Sequence, residues 1–202
     1  DLRRNERKLL KHVDEKVECR IYAQRNEIEA FISLAAEISD KTYQTKAFGA
    51  GVKKDEHTLA LLNSAAKLGI FRGYLLFCNG TATAFMLGYV HDKTYYSEFI
   101  GYLPDWKEWG VGNTLHLHVM KDLAALGGVT SFDFMYGDNP NKARLATQSR
   151  LEQNIIMFSQ KGFNRWVGKV YRASLQLSAF GKEKLESLGV AQKLKNRIRS
   201  AQ

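Results

Sequence analysis

Apolar residues along the chain follow two different spacings, and the change from one to the other predicts where helices and strands lie. Alternate apolar positions are typical of a strand with one buried face, whereas apolar positions three and four residues apart are typical of an amphipathic helix. These patterns predict helices at 1–13, 26–43, 55–69, 110–126, 139–151 and 164–199, and strands at 17–23, 70–78, 81–90, 95–103, 129–137 and 153–160.

The order of these elements predicts an α/β fold with one mixed sheet and helices on both faces. Three strands follow one another in the middle of the chain, and Asn79-Gly80 between the first two is a strong signal for a tight hairpin. These strands should therefore pair antiparallel as a meander. The strands at 95–103 and 129–137 are joined through a helix, so we expect this pair to be parallel.

Charge is distributed unevenly along the chain, whose net charge is +9. Residues 1–12 carry a net charge of +3 and residues 161–202 carry +8, whereas the residues between them carry −2. A near-neutral middle argues against a nucleic-acid groove in the core, and the basic ends either contact something acidic or lie in water. We expect residues 1–163 to form the sheet domain and residues 164–202 to form a basic helical segment. The first residues already fit a helix in progress, as in a fragment of a longer chain.

Other features of the sequence disfavour several classes of protein. No apolar run approaches the roughly 18 residues that a membrane span needs. Cys19 and Cys78 are the only cysteines, too few for a disulfide framework or a metal cluster, and a reducing compartment such as the cytoplasm suits them. His116 and His118 lie two residues apart on a predicted helix and face different ways, so we expect no metal site.

The predicted helix at 110–126 begins with two glycines, Gly110 and Gly112. The first N–H groups of a helix have no partner within it, and the positive end of its dipole lies there, so such a start can hold a phosphate. Asn113 and Thr114 could add side-chain donors. The stretch lacks the third glycine of the dinucleotide fingerprint and the Gly-Lys-Ser/Thr of a P-loop. A tight turn in a surface loop therefore remains the alternative interpretation.

Within the predicted topology, this glycine stretch resembles a loop of the GNAT acyltransferase fold. In that family a loop of the form Gln/Arg-x-x-Gly-x-Gly/Ala wraps the pyrophosphate of coenzyme A. Here Lys107-x-x-Gly110-x-Gly112 matches it, with Lys in place of Gln or Arg. The resemblance implies an enzyme in which an amine attacks the thioester of an acyl-CoA. It also implies that the fourth and fifth strands splay apart and that the pantetheine arm pairs with the fourth.

A closer resemblance is to the branch often called CelD- or BcsL-like, which is found with bacterial polysaccharide and cellulose genes. The motifs that carry it are LRRNERKL at 2–9, KTYQTKAFGAG at 41–51 and FDFMYGDNPNK at 132–142. Asn141 stands where that branch often has Tyr. Domains of this branch are often the second of two GNAT-like units. The resemblance therefore implies a second such domain or a homodimer as the protein partner.

The resemblance also implies which residues bind the two substrates. The pantetheine arm would face Phe99, Ile100, Gly101 and Tyr102, and the pyrophosphate would lie against Lys107, Gly110, Val111, Gly112, Asn113 and Thr114. The acceptor would contact Tyr43, Gln44, Asp138 and Lys142.

Three residues are candidates for moving protons. Glu98 should share a strand face with Tyr96 and Ile100, near where some GNAT enzymes place a catalytic Glu; the alternative is a solvated carboxylate. Asp133 stands between two phenylalanines, where it would be either a base or substrate anchor, or an acceptor that pins a loop. Tyr136 would donate a proton or pack near the strand end.

The resulting prediction is an N-acyltransferase that uses acetyl-CoA or another acyl-CoA as co-substrate, without a metal, and acylates a primary amine of a small molecule or sugar precursor. A Fem-type peptidyltransferase would use aminoacyl-tRNA instead, and the near-neutral middle of the chain counts against it. A non-catalytic module would dock its basic C-terminal helix on a partner or an anionic membrane. A helix that is solvated or packed on its own domain is the simpler interpretation of that segment.

Overall fold

The computed structural model describes residues 2–14, 16–42, 51–137, 140–152, 155–159 and 161–187, with residues 182–187 described by their backbone alone. The helices are α1 (Leu2–His12), α2 (Ile28–Asp40), α3 (Glu56–Lys67), α4 (Val111–Leu126), α5 (Pro140–Leu145) and α6 (Gly162–Ser187), with 3-10 helices at Arg25–Glu27 and Pro104–Trp109. The strands are β1 (Val17–Tyr22), β2 (Phe71–Cys78), β3 (Thr81–His91), β4 (Thr94–Tyr102) and β5 (Ser131–Asp133). The chain forms two compact units, Asp1–Ser149 and Arg150–Gln202.

The first unit is built on a sheet whose strands lie in chain order, β1-β2-β3-β4-β5. β1 to β4 pair antiparallel and β4 pairs parallel with β5, which confirms the predicted mixed sheet. The predicted hairpin joins β2 to β3, and Asn79 and Gly80 both take positive φ there, 51° and 80°. Asn and Gly tolerate that conformation, which matches the twist of the flanking strands.

Two hydrophobic clusters cover the two faces of the sheet, as the predicted layers require. On one face α2 and α3 pack through residues such as Phe31, Ile32 and Leu62. On the other face α1 and α4 pack through residues such as Leu9 and Leu115. All five of these side chains are at most 1% exposed. Burial of this kind stabilises the fold and fixes α4 against the sheet.

A partly buried polar network also holds α4 against β2. The guanidinium of Arg72 donates to both carboxylate oxygens of Asp122 at 2.8 Å, and the Tyr74 hydroxyl donates to the same carboxylate at 2.7 Å. The side chains of Arg72 and Asp122 are only 14% and 18% exposed. Both charges are therefore paired and hydrogen-bonded, as charges at such depth must be.

Two predicted strands differ from the structure. The strand predicted at 129–137 is limited to Ser131–Asp133, because a side-chain turn follows it at once. The strand predicted at 153–160 is wrong for residues 155–159, which form no strand, and Ile155 and Met157 are 82% and 90% exposed. A short apolar run is compatible with a strand, but only a partner strand stabilises one.

The second unit, in the part that is described, consists of residues 150–152, 155–159 and 161, and of α6. Phe158 packs against Gly168 and Tyr171 of that helix. Other apolar side chains of α6 are exposed, including Trp166 at 61%. In the described part of the chain, no helix is both long and apolar enough to cross a membrane.

Candidate functional site

The candidate site starts where β4 and β5 separate. Their last ladder pair joins Tyr96 to Asp133, and β4 continues to Tyr102 paired with β3 on its other side. A turn ends β5, because Asp133 Oδ1 accepts the N–H of Met135 at 2.7 Å and Met135 takes a left-handed conformation, φ 58°. Within the described residues, 97–102 thus have no ladder partner on the β5 side. An open edge of this kind can pair with an extended ligand.

The four residues predicted to face the pantetheine arm lie along this open edge. Phe99 packs towards the α2/α3 face and Ile100 towards the α1/α4 face. Gly101 is buried, and a Cβ there would come within 2.5 Å of the Phe85 ring. Tyr102 is 37% exposed. The glycine is required by a close side-chain approach from β3, a constraint separate from any role towards a ligand.

A bulge in β4 lies at the point of separation. Leu87 pairs with Phe99 but Gly88 pairs with Ser97, so Glu98 is the extra residue of β4. Glu98 was predicted to share a strand face with Tyr96 and Ile100. Because of the bulge, Ile100 lies on the α1/α4 face of the sheet instead, so the prediction is wrong for Ile100. Glu98 itself is exposed. The extra residue thus changes the direction in which the Glu98 side chain points from β4.

Glu98 has a neighbour that the sequence did not suggest. Tyr89 and Glu98 line the same cleft on the α2/α3 face. Burial, together with the nearby charge of Glu98, raises the pKa of Tyr89. The tyrosine therefore keeps its proton at neutral pH. Tyr89 lies opposite Tyr96, beside the bulge, because of the way β3 pairs with β4. Pairing between two strands leaves no local signal in the sequence.

The glycine turn lies just beyond the end of β4. After the 3-10 helix, the N–H of Gly110 donates to the carbonyl of Lys107 at 3.1 Å. Gly110 has φ 69°, which suits glycine, and a Cβ there would come within 3.1 Å of Asn5. The first bond within α4 runs from the Thr114 N–H to the Gly110 carbonyl, at 3.0 Å. The N–H groups of the first turn therefore point out of the helix start, as an anion site requires.

The residues of this first turn are not equivalent. Val111 and Thr114 are fully buried, and the Thr114 hydroxyl donates back to the Gly110 carbonyl at 3.2 Å. The structure therefore contradicts the prediction that the Thr114 side chain is a ligand donor. Val111 can offer its backbone N–H only. Gly112 lies beside Tyr102, since a Cβ there would be 3.2 Å from the tyrosine ring.

A basic residue from another helix lies beside this turn. Arg144 of α5 donates from Nη2 to Oδ1 of Asn113 at 3.1 Å. The first turn of α4 contains no acidic residue. Arg144 was not among the site residues predicted from the sequence. The available signal was its position as a basic residue in the helix that follows the fifth strand. This guanidinium adds positive charge at the start of α4.

The loop after β5 is held by two predicted site residues. Asp133 accepts the Met135 N–H, which favours the loop-pinning alternative for this carboxylate. Lys142 donates from Nζ to the carbonyl of Tyr136 at 2.7 Å. Burial lowers the pKa of Lys142, and the charge of Asp133 opposes that shift. Tyr136 itself is 83% exposed. The remaining predicted acceptor contacts, Tyr43, Gln44 and Asp138, lie outside the described residues.

Cysteine and metal chemistry have little support at this site. Burial, with nearby carboxylates as a smaller cause, raises the pKa of the Cys19 thiol to about 12, and burial also raises the pKa of Cys78. Both thiols therefore stay protonated, and a thiol is a poor nucleophile in that form. In the residues that the structure describes, no group of three histidine, cysteine or acidic side chains could hold a metal ion.

His116 lies one turn into α4, where its ring is partly buried. Its Nδ1 is 2.9 Å from the Gly112 carbonyl, which can only accept, so Nδ1 carries the proton. Its ring also contacts Phe132 and Phe134. Burial lowers the pKa of His116, and the charge of Arg144 adds to that shift.

We expect the free energy of unfolding to fall as the pH drops from 7.5 to 5.5, partly because of His116. Its folded pKa is below the unfolded value of about 6.5, so in this range the unfolded chain binds a proton that the folded chain does not. Urea unfolding at both pH values should show a smaller fall for His116→Gln. His57→Gln removes an exposed histidine and serves as the control. Equal pH dependence in His116→Gln and the wild type would contradict this assignment.

Comparison with known proteins gives one family. The family model described as acetyltransferase (GNAT) domain matches residues 1–143. Among curated proteins, no sequence matches the chain.

Several solved structures share the fold. An aminoglycoside acetyltransferase from an uncultured soil metagenomic sample, in complex with sisomicin, has 14% identity over 74% of this chain and 99% of its own, with a TM-score of 0.51. A second one from such a sample has 15% identity over 71% and 99%, also with a TM-score of 0.51. A ribosomal-protein-alanine N-acetyltransferase from Brucella melitensis biovar Abortus 2308 has 15% identity over 71% and 98%, with a TM-score of 0.50. At these identities the likeness establishes the fold.

Proposed function

This chain belongs to the acetyltransferase (GNAT) domain family, and we propose that it transfers an acetyl or other acyl group from acyl-CoA to a primary amine of a small molecule or sugar precursor. One observation carries the proposal: the open edge of β4 leads directly to the glycine turn at the start of α4. The edge offers backbone partners to the amide groups of a pantetheine arm. The turn offers N–H groups and a helix dipole to a pyrophosphate.

The phosphate end of the donor would lie among groups from two helices. Gly112 and Asn113 provide backbone N–H groups, and Lys107 is exposed just before the turn. Arg144 adds a guanidinium, whose planar set of donors suits phosphate oxygens. These contacts would fix the donor, while the thioester lies near the bulge in β4.

The proposed reaction needs one base near the thioester. The ammonium of the acceptor first loses a proton to solvent. The free amine then attacks the thioester carbonyl carbon, and the new C–N bond replaces the C–S bond. Glu98 takes the second proton from nitrogen, and the leaving thiolate is protonated by Tyr136 or solvent. Glu98 has this role in the proposal because it is exposed at the bulge and lines a cleft together with Tyr89.

The finer assignments of the proposal come from sequence motifs. The motifs shared with the CelD- or BcsL-like branch support a place in bacterial polysaccharide synthesis and a second GNAT-like domain or homodimer as partner. They also support Tyr43, Gln44, Asp138 and Lys142 as acceptor contacts. The two unpaired cysteines support a cytoplasmic location.

Calorimetry with acetyl-CoA tests the proposal. We expect binding by the wild type and a loss of at least about tenfold in affinity for Gly112→Trp, because the indole would cover the N–H groups that hold the pyrophosphate. Gly181→Trp is a matched control, since among the described residues a Cβ on Gly181 meets nothing within 4 Å. A folded wild type that does not bind acetyl-CoA would overturn the proposed function.

A further inference from the structure

The cleft beside Glu98 is formed by three parts of the chain that are distant in sequence. Its walls come from residues 51–53, from α3 and from the paired strands β3 and β4. Phe99, on the strand proposed to hold the pantetheine arm, also lines it. The cleft therefore opens next to the place where the thioester would lie, on the α2/α3 face of the sheet.

Most of the side chains lining this cleft are hydrocarbon. Leu62 and Leu87 form a closed floor, at 1% and 2% exposure. Leu61 lies at the rim and is 49% exposed, which is high for a leucine next to a cleft. A ligand with an apolar stem would cover this leucine, and covering apolar surface is favourable.

The polar groups of the cleft are few and point to one kind of head group. Among the described residues that line the cleft, Glu98 is the only carboxylate, and Tyr89 lines the cleft beside it. An ammonium is the charge complement of that carboxylate. A sugar would need partners for several hydroxyls, and among the described lining residues the other polar side chains are Thr58 and Lys53. The positive charge of Lys53 would also repel an acceptor that carries several positive charges.

From these features we propose that the cleft binds the acceptor and that the acceptor is an aliphatic primary amine. Its nitrogen lies at Glu98 and its stem lies against Leu61. This inference rests on the proposed function, because it places the acceptor beside the thioester of the same site. It narrows the acceptor from amines in general to those with an apolar stem.

The test compares three amines as acceptors with acetyl-CoA as donor: n-hexylamine, glucosamine and the polycation sisomicin. We expect kcat/KM for n-hexylamine to exceed that for the other two by at least about tenfold, the scale of one well-buried apolar group. Leu61→Asn should lower kcat/KM for n-hexylamine several-fold and by a larger factor than kcat/KM for glucosamine. Leu68→Asn is the matched control, because Leu68 caps the same helix and is 74% exposed.

The possible outcomes separate the two proposals. Equal or better turnover of glucosamine or sisomicin would overturn the inference and leave the proposed function standing. An unchanged kcat/KM for n-hexylamine in Leu61→Asn would also overturn it. If a folded wild type acetylates none of the amines and does not bind acetyl-CoA, the proposed function fails and the inference fails with it. Urea unfolding of both leucine variants checks that they are folded.

Discussion

Replacing Glu98 by Gln is expected to lower kcat about 100- to 1,000-fold, because general-base catalysis contributes on that scale. The change removes the carboxylate but keeps the shape of the side chain at the bulge in β4. The KM for acetyl-CoA should stay the same, since the proposed donor contacts lie on the strand edge and at the glycine turn. Steady-state release of free CoA, with the best acceptor of an amine panel, measures both constants.

Two variants test whether this effect belongs to Glu98. Glu37→Gln removes another exposed carboxylate, on α2, and should leave kcat unchanged. Tyr89→Phe removes the hydroxyl of the tyrosine that lines the same cleft as Glu98, so we expect a smaller fall in kcat, of roughly fivefold to tenfold. If Glu98→Gln keeps kcat within twofold of the wild type, Glu98 is not the base.

Replacing Asp122 by Ala is expected to lower the free energy of unfolding by about 3 kcal/mol, because it leaves the charge of Arg72 buried without its partner. The Tyr74 hydroxyl loses the same acceptor. For a chain of this size the melting temperature should fall by about 6–12 °C. Urea unfolding followed by circular dichroism measures the free energy directly.

A double-mutant cycle isolates the ion pair from other effects of Asp122→Ala. Arg72→Met combined with Asp122→Ala removes both charges, so the double variant should be more stable than the sum of the single effects predicts. Additive effects, or a loss below about 1 kcal/mol for Asp122→Ala, would show that the pair contributes little to holding α4 against β2.

The local pattern of the sequence determined much of the fold. Short apolar segments bounded by turn residues placed the strands of the meander, and Asn79-Gly80 placed the hairpin between β2 and β3. The glycine at position 110 placed the start of α4. These features depend on neighbours a few residues apart, or on the backbone conformation of one residue, and a sequence displays both directly. The parallel pairing of β4 with β5 followed from handedness and the helix between them.

Only the tertiary structure decided how the residues of the site are arranged. The bulge that sets the direction of Glu98 is a register shift between two strands, so it depends on how distant residues pair. The turn that ends β5, the contact of Arg144 with Asn113 and the cleft under Leu61 likewise join segments far apart in the chain. A local pattern specifies which face of an element is buried. It does not specify which distant residue lies opposite, because that choice is made by packing the whole domain.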